Sequence, residues 1–249
     1  MDVSLFQAAA AMNASSRWQE VIADNLAANQ IPGFKKQNLT FSAVQTGFMA
    51  GDSGAAAAKR ASMPLAGTVT DFQAGELRST GVATDLAIEG PGFFQVRTPD
   101  GAAGFTRDGE FRLTIQGQLV TKLGFPVMGE TGPVQIDPNN SAPITIAPTG
   151  EISQGGEQKG QLKLTEFNNL NALTSTGTGL FIDTGVGAQG HAATASMVKQ
   201  GFLENANTSS VTEMGSLISA MRFYEANEKV IQSEDDRVGR LISDVANPA

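Results

Sequence analysis

The feature that most constrains this chain is a change of hydrophobic period at each end. Near the start, Leu5, Ala8, Met12, Ser15, Gln19, Ile22, Leu26 and Asn29 recur alternately three and four residues apart, and no Pro or Gly interrupts residues 3–29. That spacing places them along one stripe of a helix. Near the end, Met214, Leu217, Met221, Tyr224, Glu228, Ile231, Asp235, Val238, Ile242 and Val245 repeat the pattern. Between these segments the period falls to 2 and Gly-rich turns become frequent. Helices segregated to the termini around a run of strands predict an α+β chain.

The helix limits are also written locally. Asp2 or Ser4 can cap the first helix, Pro32 cannot continue it, and Gly33 permits a sharp change of direction, so it should stop near Asn29. Ser210 followed by Glu213 fits a capping box for a second helix over about 211–245, on the order of 50 Å long. Gly215 and Gly239 weaken that helix by up to about 1 kcal/mol each. Two long amphipathic helices stabilise each other by burying their stripes, at roughly 1.5–3 kcal/mol per enclosed aliphatic side chain. The expectation is therefore a coiled-coil-like pair. Leu5, Met12, Ile22 and Leu26 should pack with Leu217, Met221, Tyr224, Ile231 and Val238. Polar seam positions at Ser15, Gln19, Glu228 and Asp235 would fix register and partner choice.

Strand signals fill the middle. "DLAIEGPGFFQVRTPDG" reads as strands around 86–88 and 93–97 separated by a Gly-Pro-Gly turn. Phe105, Phe111, Leu113 and Ile115 alternate with polar residues, and Asp108-Gly109 and Gln116-Gly117 mark turns. An antiparallel barrel or sandwich inserted between the helices is expected over 78–190. The corresponding division is a core helix over 1–30, a connector over 31–77, the β domain, a return connector over 191–210, and a second core helix over 211–249. Residues 46–67 and 173–197 are Gly-, Ala- and Thr-rich and show no sustained period.

Charge and composition exclude several functions. The net charge of −8 and the isoelectric point near 4.7 would repel a nucleic-acid backbone. No apolar run reaches the roughly 20 residues of a membrane span. The N-terminus carries Asp2 where a secretion signal would be basic, so export by a route that reads no cleaved signal, or retention in the cell, is expected. With no Cys and a single His191 in a Gly/Ala loop, no zinc cluster is available. Glu234, Asp235 and Asp236 point in successive directions on a helix and cannot converge on a metal. No catalytic, cofactor or metal residue emerges, and a non-enzymatic protein is expected.

The block "VIADNLAANQIPGFKKQ" resembles the N-terminal motif of bacterial flagellar rod and hook axial proteins, Asn-Asn-Leu-Ala-Asn followed by Pro-Gly-Phe-Lys, although it departs at Asp24 and Ala28. "DLAIEGPGFFQVRTPDG", "FTRDGEFRLTIQGQLVTKLGFPVMG" and "QGFLENANTSSVTEMGSLISAMRFYEANEKVIQ" resemble the family's central and C-terminal blocks, in order. Within the family the chain looks most like the proximal rod member, with the distal rod member second. The resemblance implies a structural subunit of the basal-body rod, self-assembling into a helical tubular drive shaft that transmits torque. Its partners would be itself, other rod proteins and the flagellar type III export apparatus, with no cofactor. Its location would be the basal body in the periplasmic space. It marks Asn25, Leu26, Asn29, Pro32, Gly33 and Phe34 as a corner turning the chain outward. The alternatives are a distal rod or hook-type protein, or a secreted β-domain adhesive module.

Overall fold

The computed structural model describes residues 3–45, 62–183 and 187–246. The chain divides into two compact units: Met1–Leu26 with Gln37–Val69 and Ser210–Ala249, and Ala27–Lys36 with Thr70–Ser209. In the first unit, helix α1 spans Val3–Ala27 and helix α2 spans Ser210–Ala246. Strands Gln37–Gln45 and Ser62–Thr70 pair in a two-stranded ribbon.

The second unit is built from antiparallel strands. Its largest sheet runs, in spatial order, Leu173–Ser175, Leu180–Asp183, Ala103–Thr106, Phe93–Arg97, Leu164–Phe167 and Gly190–Ala192. Successive side chains of a strand point to opposite faces. Phe94 and Val96 accordingly enter a large core with Leu86, Phe111, Leu119, Ile136, Ile152 and Leu162. Phe93 enters a smaller aromatic core with Phe105, Phe167 and Phe181. Its rings meet edge to face, Phe93 and Phe167 at 5.8 Å and Phe105 and Phe167 at 4.8 Å, the arrangement the ring quadrupole favours. The strands Leu86–Glu89 and Phe93–Arg97 lie where alternation predicts them. At the expected Asp108-Gly109 turn the chain forms an irregular connection rather than a regular turn, and glycine is required there because a Cβ on Gly109 would lie 1.6 Å from the Leu86 carbonyl oxygen.

Two elements of the expected fold class are corrected, although α+β holds. The β unit is not a closed barrel. Its largest sheet ends at Leu173–Ser175 and Gly190–Ala192, and Ile144–Ile146, Glu151–Gln154 and Glu157–Gln161 form a separate three-stranded sheet. The long coiled-coil pairing is also not what the helices form. Met214, Met221 and Val238 on the expected stripe are exposed, as are Glu228 and Asp235. Instead Glu213 and Ala220 are buried and Asn227 and Glu234 half-buried, each one residue before a predicted seam position. The reason is the close approach at Ala220. Ser15 Oγ donates to the Ala220 carbonyl at 3.1 Å, and both residues are essentially inaccessible. Only a small side chain admits a neighbour to the helix backbone, so Ala220 displaces Met221 from the contact.

The segments expected to be loose also change. Residues 62–67 belong to the Ser62–Thr70 strand, while 46–61 lie outside the described residues. The 173–197 stretch supplies both edge strands and one inner strand of the largest sheet. Glycine turns at 177 and 179 hide its period. Of the residues that alternate with polar ones, Phe105 and Phe111 are buried, whereas Leu113 and Ile115 are exposed on the hairpin Phe111–Leu113/Leu119–Thr121 and its turn.

Phe94 is fully enclosed and packs edge to face on Phe111 at 5.1 Å. Phe94→Ala should destabilise the β unit by about 3–5 kcal/mol in chemical denaturation. Ile115→Ala, at a site 93% exposed, should change it by less than about 0.5 kcal/mol.

Candidate functional site: the corner after the first helix

The corner begins where α1 loses its last turn. A 3-10 turn, Ala28–Gln30, follows the helix, and Ile31 caps it in extended conformation, donating its N–H to Ala28 O. Gly33 then adopts φ +66°, a conformation that glycine enters without steric penalty. A Cβ there would also sit 2.3 Å from the Arg107 carbonyl carbon and oxygen. Two independent constraints therefore demand glycine. Phe34, just after it, is buried.

In the first unit, buried Asn25 binds both backbone groups of Gln37. Its Nδ2 donates to Gln37 O at 2.8 Å and its Oδ1 accepts from Gln37 N at 2.9 Å. An Asp could accept but not donate, so the amide imitates one rung of a strand ladder.

Within the second unit, Glu204 is the centre of a buried charge cluster. Its Oε1 accepts from Lys35 Nζ at 2.6 Å and from Gly75 N at 2.8 Å, and its Oε2 lies 3.2 Å from Arg107 Nη1. Its carbonyl accepts from Gly33 N at 2.7 Å. Lys35 Nζ also donates to Gln73 O at 2.7 Å. Arg107 donates to Ile88 O and Gly90 O and stands over the Phe93 ring at 5.1 Å. Burial lowers the affinity of Lys35 and Arg107 for their protons, and the Glu204 charge opposes that loss. Asn207 adds a second clamp: its Oδ1 accepts from Lys36 N at 2.7 Å, and its Nδ2 donates to Asp71 O and Gln73 O.

A cavity of about 340 Å³ in the same unit is lined by Ile31, Pro32, Asp108, Leu123, Phe125 and Leu180, among others. Burial raises Asp108 to about 6. Its Oδ1 accepts from Glu110 N at 2.9 Å.

The remaining predicted positions fall in three states. Ile22, Asn25, Gly33 and Phe34 are buried. Met12, Leu26, Asn29, Pro32, Leu217, Tyr224 and Ile231 are half-buried. Met221 and Val238 are exposed, and the side chain of Leu5 lies outside the described residues. The sequence reading did not single out Lys35, Arg107, Glu204 or Asn207. Lys35 lies in the motif block that ends the first helix, but its partner lies 169 positions away. No spacing rule links residues that far apart. Among the described residues, no group of three His, Cys, Asp or Glu side chains is placed to share a metal ion. No described helix is long and apolar enough to cross a membrane. His191 is exposed on the Gly190–Ala192 edge strand.

Residues 87–154 match the flagellar hook protein FlgE/F/G D1 domain, and residues 199–244 match the flagellar basal body rod FlgEFG protein C-terminal region. The flagellar basal-body rod protein FlgG of Buchnera aphidicola from Schizaphis graminum is 34% identical over 262 aligned positions, spanning 96% of this chain and 98% of the relative. FlgF of Caulobacter vibrioides is 30% identical over 249 positions, spanning 97% and 100%. FlgF of Escherichia coli is 30% identical over 252 positions, spanning 96% and 97%. This chain belongs to the flagellar basal-body rod protein family.

Gly33→Ala should cost about 2–4 kcal/mol in the denaturation of the purified chain, combining left-handed strain with the clash at Arg107. Asp108 holds its proton more tightly when folded, at about 6 against 3.8 unfolded. Its contribution to stability therefore falls as pH rises from about 4 to about 6 and is absent above that. Asp108→Asn keeps an oxygen for Glu110 N. It should remove this slope and raise stability at pH 7 by about 1–2 kcal/mol, read from denaturation midpoints at pH 4 and pH 7.

Proposed function

We propose that the chain is a structural subunit of the flagellar basal-body rod, assembling with copies of itself and with other rod proteins into a tubular shaft that carries torque. End-to-end similarity to named rod proteins carries this reading, because it spans both helices, the corner and the β unit. The surface of α2 supports it. Met214, Ile218, Met221, Phe223, Val230 and Val238 are each 40% or more exposed in a single chain. A run of apolar side chains along one helix is stabilised when neighbouring subunits cover it. A contact joining different faces of successive copies, without closing a ring, builds a helical filament.

On this reading the packing positions Leu5, Met12, Ile22, Leu26, Leu217, Met221, Tyr224, Ile231 and Val238 act partly within a subunit and partly between subunits. The corner at 25–34 carries the chain from the helical layer to the β unit. The core helices, connectors and β domain keep the roles that the sequence divides among 1–30, 31–77, 78–190, 191–210 and 211–249. Export proceeds through the flagellar type III apparatus, and assembly takes place in the periplasmic space. No enzymatic step is involved.

The proximal position in the rod is the better fit. The FlgF alignments run over 249 and 252 positions, close to this chain's own 249 residues. The FlgG alignment uses a similar share of the chain but needs 262 positions, so that relative carries residues for which this chain has no counterpart. Higher identity to FlgG, at 34%, favours the distal rod as the second reading.

Because Met221 and Val230 are exposed, Met221→Asp/Val230→Asp should fold with an unchanged circular dichroism spectrum and melting midpoint. In cells lacking the native gene it should be absent from purified basal bodies, and swimming in soft agar should be lost. Incorporation at the native level would overturn the assignment of α2 as an assembly surface.

A further inference from the structure

The segment 71–76 crosses the second unit without joining a strand ladder. Its ends and middle are held by the side chains of three residues. Lys35 Nζ donates to Gln73 O, Glu204 Oε1 accepts from Gly75 N, and Asn207 Nδ2 donates to Asp71 O and Gln73 O. The backbone adds Asp71 N to Lys36 O and Asn205 N to Glu76 O. Three chain segments thus meet here: the corner at 33–36, the strap at 71–76, and the return strand with its continuation at 204–207. Each lies within a few residues of a boundary of the unit.

Within the enclosed cluster the charges do not balance, although the half-buried Asp71 of the strap adds a further negative charge that acts on Lys35. One carboxylate faces two cations, and all three side chains are at most 4% exposed. Arg107 has further partners at Ile88 O, Gly90 O and the Phe93 ring. Lys35 has only Gln73 O besides the carboxylate among the hydrogen bonds of the described residues. Removing the negative charge would leave two cations facing each other in a site screened from water, which is strongly unfavourable. Relief comes from loss of the Lys35 proton, which burial and Arg107 already favour, or from moving the segment that carries Lys35, together with the strap it holds, into water; only the second exposes the neck amides. The β core does not need to open.

We propose that Glu204 is an electrostatic latch that closes the neck of the β unit, so that loss of its charge opens the corner and strap as a local unit while the sheet core stays folded. Local opening of this kind is read by amide hydrogen exchange. In the full-length purified chain, Glu204→Gln should accelerate exchange at Gly33, Gly75 and Asn205 by at least about 100-fold. Amides of Leu86–Glu89, Phe93–Arg97 and Leu164–Phe167 should stay within about threefold of the native chain. Lys35→Met in the same background removes one of the two facing cations and should slow exchange at Gly75 and Asn205 again by at least about tenfold. If Glu204→Gln speeds exchange evenly through the core strands, or leaves the neck amides unchanged, Glu204 is an ordinary contributor to stability and no latch. If Lys35→Met speeds exchange further in the Glu204→Gln background, the two residues act independently and the proposal fails. Should Glu204→Gln alone not fold, the double variant is compared with Lys35→Met: with no second cation to repel, loss of the Glu204 charge should change exchange at Gly33 and Asn205 by less than about tenfold, and an acceleration of about 100-fold would overturn the proposal.

Discussion

One buried carboxylate sits between an ammonium and a guanidinium in the β unit, and the path of the chain around it follows from that arrangement. Glu204 cannot be enclosed without its partners, because an unpaired charge taken from water costs several kcal/mol. Lys35 and Arg107 meet that demand. Their positions then require Gly33 to pass against the Arg107 backbone and the strap at 71–76 to lie over the cluster. The turn after the first helix is consequently set by a constraint on the return strand, far away in sequence.

The two units meet their stability requirements differently. The β unit encloses two apolar cores on opposite faces of one sheet, and the Phe side chains at 93, 94, 105, 111, 167 and 181 are almost fully removed from water. The helical unit leaves much apolar surface open along α2. Its clearest interhelical fastening is the Ser15–Ala220 hydrogen bond. A unit that buries its own core needs no neighbour, whereas one that exposes a row of Met, Ile, Val and Phe gains most from being covered. This contrast fits a family whose members are assembly subunits.

The readable parts of the sequence were those governed by local chemistry. The Gly-Pro-Gly turn, the alternation at Phe93–Arg97, and the Pro32-Gly33 stop after the helix all rest on neighbouring residues. Asn25 was visible as part of a motif, but its double hydrogen bond to Gln37 was not. The stripe on α2 was misread by one residue at alternate positions. Periodicity ranks side chains by apolarity, whereas the contact is decided by how closely a backbone can be approached, and there Ala220 wins over Met221. The edge strands at 173–192 were hidden because their apolar residues are separated by glycine turns and their pairing partners lie elsewhere in the chain.

By itself the sequence determined the two terminal helices, the strand-rich middle, the corner after the first helix and the family, because each depends on residue order within a short window or on ordered blocks. Only the tertiary structure decided the open form of the sheet, the helix face that makes contact and the Lys35–Glu204–Arg107 cluster. Each of these depends on groups up to two hundred positions apart competing for the same small volume, where size, charge and access to water are settled together.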